Sequence, residues 1–168
     1  MRFNAALSLR DMGLAVFNAV PVLARVVAYT GTGPETNELI YVRAVAAVAL
    51  GKIGPIATNA VPALQAALHE SNAYLRGQSA VAIWRITGNA DTTLPVLLHE
   101  MPTTMEDSKW DWIIALGEMG PRARAAVPQL RTELQQDRMQ WVLDYVSNAL
   151  RRIDPEAAAQ AGVRGDKM

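Results

Sequence analysis

Three groups of residues have the chemical types of a working site. Histidine precedes glutamate twice, at His69-Glu70 and His99-Glu100, and an imidazole beside a carboxylate can hold a divalent metal or pass a proton. Tryptophans stand at Trp84, Trp110, Trp112 and Trp141, two of them flanking Asp111, and rings of that size are frequent anchors for a partner. The cations Arg2, Arg43, Arg76 and Lys109 recur at near-regular spacing, and a row of positive charge can grip an acidic surface.

Each group also has a plainer reading. Position 69 corresponds to 102 rather than 99 in the repeat described below, and no His-Glu-x-x-His spacing occurs, so neither a metal site nor a cofactor site is assigned. Trp110 and Trp112 point about 200° apart on a helix and cannot line one groove together. The cation row reads as a structural ladder that pairs between repeats, with Glu38, Glu70, Glu106, Asp107 and Asp137 as nearby partners. The tripeptide Arg164-Gly165-Asp166 is too short to carry weight. No nucleophile triad, paired carboxylates or phosphate-cradling glycine loop is visible, so no catalytic residue is named.

Composition narrows the partners. Sixteen Lys and Arg balance sixteen Asp and Glu, whereas nucleic-acid binders carry a basic excess that releases counterions from phosphate; nucleic acid is therefore not expected. There is no cysteine for a disulfide or thiolate site. The longest unbroken apolar run, Ala44 to Leu50, is far short of the roughly 20 residues that span a bilayer. No basic region followed by an apolar run opens the chain, so the expectation is a cytoplasmic protein without membrane contact.

The elements that position these residues come from a repeat. Pro62, Pro95 and Pro128 stand 33 apart, as do Arg43, Arg76 and Lys109, Ala49, Ala82 and Ala115, and Leu64, Leu97 and Leu130. An earlier unit aligns Arg2, Leu9, Met12 and Pro21 with Arg43, Leu50, Ile53 and Pro62, after an insertion around Tyr29 to Glu38. The units are 1–29, 38–70, 71–103, 104–137 and a partial 138–155, followed by a capping tail at 156–168 that is partly frayed. Within a unit, Val42, Val45, Val48, Ala49 and Ile53 predict the apolar stripe of a first helix. Gly54-Pro55 and Gly120-Pro121 stop it. The recurring proline opens the second helix, where its missing N–H costs nothing, with Asn59, Asp91 or a nearby residue as a cap. One helix pair cannot shield its apolar faces alone; stacked neighbours can.

Val42-Arg43, Ala49-Leu50-Gly51-Lys52-Ile53-Gly54 and Ala60-Val61-Pro62-Ala63-Leu64 resemble the short bacterial HEAT-like repeat of the PBS-lyase type. The phrase returns as Ala115-Leu116-Gly117-Glu118-Met119-Gly120 and Ala126-Val127-Pro128-Gln129-Leu130, while the third unit carries Trp84 in place of the glycine and Thr87 before Gly88. The resemblance implies an all-α fold: a right-handed α-solenoid (an α–α superhelix) of stacked antiparallel helix pairs, HEAT/armadillo-like. It also implies a non-catalytic scaffold that binds a protein partner on a concave face lined by second helices. Candidate contacts there are Gln65, His69, Leu98, His99, Gln129, Arg131 and Glu133, with Trp110 and Trp112 as aromatic anchors. The same architecture leaves open a bilin-lyase-like subunit, and more remotely a DNA-binding or alkylated-base glycosylase-like protein using Asp111 with Trp84, Trp112 and Trp141. Phe3 and Leu7 lack a covering neighbour, which predicts a homo-oligomer through the N-terminal end.

Overall fold

A computed structural model describes residues 18–29, 37–101, 106–136 and 140–163, with the side chains at 106–109 and 136 outside the description. Arg2, Phe3, Leu7, most of the inserted loop and Arg164-Gly165-Asp166 lie outside the described residues, and Lys109 is described by its backbone alone. Every regular element among the described residues is helical. The chain is an all-helical repeat protein. It divides into two compact units, Met1–Gly88 and Asn89–Met168.

The first unit contains α1 (Asn18–Val27), α2 (Asn37–Ile53), a 3-10 turn (Gly54–Ala60), α3 (Val61–Ala67) and α4 (Ala73–Thr87). First helix lies on first helix here, α2 along α4, and α3 closes against α4 from the other layer. Its core gathers Ala44, Ala47, Leu50, Leu64, Leu75 and Ile83 with Val20 and Val27 from α1. The second unit contains α5 (Ala90–Glu100), α6 (Glu106–Met119), a second 3-10 turn (Gly120–Ala126), α7 (Val127–Gln136), α8 (Gln140–Ile153) and α9 (Pro155–Gln160). It repeats the scheme, with α6 along α8, α7 against α8, and α9 closing on α8.

The repeated glycines do two separate things. Gly54 and Gly120 take φ of +72° and +59°, the left-handed conformation that ends a helix without a Cβ penalty. Gly51 and Gly117 permit close approach instead: a Cβ on Gly51 would lie 3.0 Å from the Ala82 Cα, and one on Gly117 3.1 Å from the Ala149 Cα. First helices therefore meet nearly backbone to backbone at these points, where each glycine faces an alanine.

That close approach overturns the expected stripe on α2. Val42 and Val45 are exposed, and the buried residues are Arg43, Ala44, Ala46, Ala47, Leu50 and Gly51. The helix is apolar nearly all round, so small residues take the tight face and the bulkier valines are left outside.

Two expectations about helix starts also need correction. Pro62 and Pro128 sit in the first turns of α3 and α7, but Pro95 lies inside α5, which begins earlier at Ala90. The cap there is Asn89, whose side chain accepts from the N–H groups of Asp91 and Thr92. Ala60 precedes α3 without a side-chain cap, so Asn59 does not serve; the 3-10 turn feeds straight into that helix.

By length and composition the stretch Asn37–Ala67 is apolar enough to cross a membrane, which the unbroken run Ala44–Leu50 does not register. The chain breaks inside it, at Gly54 and again at Ala57 (φ −83°, ψ 17°). The stretch is therefore the two legs of one repeat.

Candidate interaction surface

Two members of the cation row, Arg43 and Arg76, are part of the framework. Arg43 is 2 % exposed; its Nε donates to the Val27 carbonyl at 2.9 Å, and its Nη2 pairs with Glu70 Oε1. Arg76 donates from Nη1 to the carbonyls of Glu70 and Ser71 at 2.6 and 2.7 Å. The Arg43 guanidinium thus closes the C-terminal end of α1, where unpaired carbonyls and the helix dipole favour a cation, while that of Arg76 ties down the turn between α3 and α4. Pairing of Arg43 with Glu70 was among the expected bridges; the use of carbonyls was not.

The two His-Glu pairs are put to different uses. Glu70 turns to Arg43 and His69 is exposed. His99 Nδ1 lies 3.1 Å from Glu100 Oε1, with the glutamate buried and the imidazole facing solvent. Among the described residues no group of three or more His, Cys, Asp or Glu is gathered as a metal site would require.

The second-helix candidates divide by engagement. Gln65, His69 and His99 are exposed, whereas Leu98 and Glu133 are half-buried. Gln129 Nε2 donates to the Leu98 carbonyl at 3.0 Å, fastening α7 to α5. Arg131 donates to the Ala157 carbonyl at 3.2 Å and to Gln160 Oε1 at 3.0 Å, fastening α9 to α7.

The tryptophans separate as their spacing requires. Trp112 is fully buried in the second unit and cannot anchor a partner, nor can it join Asp111 and Trp141 in a groove. Trp110 is 38 % exposed, Trp141 43 % and Tyr145 40 %. These three rings cluster: Trp110 and Tyr145 lie 6.4 Å apart and tilted, and Trp141 meets Tyr145 edge to face at 6.4 Å and 81°. Beside them, a shallow groove between α6 and α8 is lined by Ile113, Ile114, Gly117, Tyr145, Asn148, Ala149 and Arg152. In the first unit Tyr41 and Tyr74 stack at 6.4 Å and 13°. Sequence reasoning missed these tyrosines. The available signals were the 33-residue interval between Tyr41 and Tyr74 and the i,i+4 spacing of Trp141 and Tyr145.

Residues 42–70 match the family model described as PBS lyase HEAT-like repeat. No curated protein and no solved structure matches the chain. The matched segment runs from Val42, within α2, through the 3-10 turn and α3 to the residues just after it.

Proposed function

We propose that the chain is a non-catalytic repeat module that binds a protein partner. The observation that carries this reading is the exposed cluster of Trp110, Trp141 and Tyr145, because such rings are enriched at the energetic centres of protein interfaces. Each unit also exposes second-helix candidates of its own: Gln65 and His69 in the first, and His99 with half-buried Leu98 and Glu133 in the second. Gln129 and Arg131 would there act mainly by holding α5, α7 and α9 together. A cytoplasmic location accords with this reading.

The test is affinity capture from native lysate with the parent chain, with Trp141→Ala/Tyr145→Ala, and with His69→Ala/His99→Ala. Loss of the same captured protein in the aromatic variant, with the fold intact by circular dichroism, is the expected outcome. Undiminished capture by both variants would remove both surfaces from consideration. The description of the matched family favours one second reading, a subunit of a bilin lyase; pigment transfer in a reconstituted mixture that requires this chain would replace the first reading with it.

A further inference from the structure

The aromatic cluster and the neighbouring groove form one continuous strip in the second unit. On α8, Trp141, Tyr145, Asn148 and Arg152 follow at i, i+4, i+7 and i+11, a spacing that keeps them on one face. At 1.5 Å per residue they extend along about 16 Å. Trp110 adds a ring from α6 at the same end as Trp141, and Gly117 lets α6 and α8 close to backbone distance along the floor. The strip is therefore long and shallow, with rings standing at one end and a cation at the other.

Its polar chemistry leans toward donors, with the Tyr145 hydroxyl and the Asn148 amide oxygen able to accept as well. Two indole N–H groups, the Tyr145 hydroxyl, the Asn148 amide and the Arg152 guanidinium all offer donors, and none of the residues lining the groove is acidic. Among the described residues Arg152 has no ion pair; nearby Asp154 is taken by Arg124 at 3.1 Å. An occupant that complements this strip presents acceptors along its length, flat apolar faces at one end and a negative charge at the other.

We infer that the strip binds an extended, proline-rich segment of a partner protein carrying a carboxylate at the end that lies against Arg152. This deepens the protein-binding reading and rests on it. Proline has no N–H, so such a segment shows its carbonyls and asks for no acceptor in return. In the polyproline II form it rises about 3.1 Å per residue, so roughly five residues fill the strip. Its rings pack flat on exposed aromatic faces, and little conformational entropy is lost because the extended form already dominates when free. A helical segment fits less well: it keeps its carbonyls for itself, and a cylinder about 10 Å across needs a deeper channel. Strand addition needs an open sheet edge, and the described residues contain no strand.

The probe is a fluorescently labelled acetyl-pentaprolyl-aspartate titrated with the full chain and followed by anisotropy. Controls are a serine-glycine peptide of equal length ending in aspartate, and pentaprolyl-lysine. Saturable binding is expected, at least tenfold tighter than for either control. Trp141→Ala and Tyr145→Ala should each weaken it at least tenfold, and Arg152→Glu should reverse the preference between aspartate and lysine ends. All three side chains are exposed, so the variants should keep the parent far-ultraviolet dichroism. Equal binding of the serine-glycine peptide, or binding indifferent to Tyr145→Ala, would overturn the inference. An acidic amphipathic helical peptide that binds more tightly through Trp141 and Tyr145 would overturn it too, while leaving the broader protein-binding reading in place. Absence of peptide binding, alongside capture of a partner that depends only on His69 and His99, would likewise overturn this inference alone.

Discussion

Arg43 and Glu70 make the most informative perturbation, because the two partners sit in different surroundings. The guanidinium is on a residue 2 % exposed, whereas the Glu70 side chain is 25 % exposed. Arg43→Met keeps the apolar stem and removes the bonds to Glu70 and to the Val27 carbonyl. Hydrogen bonds to a charged group contribute about 1.5–3 kcal/mol each, but the freed carboxylate can turn to water, so the expected net loss is about 2–4 kcal/mol. Glu70→Ala instead deprives a buried cation of that carboxylate, and breaking a buried pair from the side that leaves a charge in place costs about 3–5 kcal/mol. With Arg43→Met already present, Glu70 has no buried cation left to neutralise, so the double variant should lose no more than about 1 kcal/mol beyond Arg43→Met alone. Urea unfolding followed by far-ultraviolet dichroism measures all four corners of the cycle. Additive losses would refute the pairing argument, and so would a smaller loss for Glu70→Ala than for Arg43→Met.

Gly51→Ala and Gly117→Ala each press a methyl against the backbone of the facing helix, at 3.0 Å from the Ala82 Cα and 3.1 Å from the Ala149 Cα, and should destabilise by about 1–3 kcal/mol in the same unfolding assay; a neutral result would show that the helices can part freely. Trp112→Ala should cost about 3–5 kcal/mol as a buried truncation, while Trp110→Ala, two residues away and exposed, should leave the melting temperature within about 2 °C. The Asp154 carboxyl is held below its ordinary value by the Ala157 N–H and, more weakly, by Arg124, against an opposing effect of desolvation. A group depressed in this way stabilises the fold fully above the ordinary aspartate pKa, near 4, and loses that contribution as the pH falls through the folded value. Asp154→Asn should therefore show a smaller drop in denaturant midpoint between pH 6 and pH 3 than the parent chain, and an equal drop would rule the carboxyl out.

What the sequence could and could not disclose follows from the kind of force at each position. The repeat was legible because glycine at 54 and 120 answers a backbone demand that no other residue meets cheaply, and because leucines such as Leu64 and Leu130 are fully buried at equal intervals. The burial of α2 was not legible. When a helix is apolar nearly all round, its period does not say which side is tight, and only the facing Ala82 shows that Gly51 marks it. Arg43 was legible as a partner of Glu70 but not as a helix cap, since only the fold brings the open Val27 carbonyl at the end of α1 to its guanidinium. The aromatic strip was half legible. Helical spacing separated Trp110 from Trp112, but the companion of Trp110 is Tyr145, on a helix that follows a whole helix pair later. A period orders residues along each layer, whereas a binding strip is assembled across layers, so the fold was read more fully than the surface it presents.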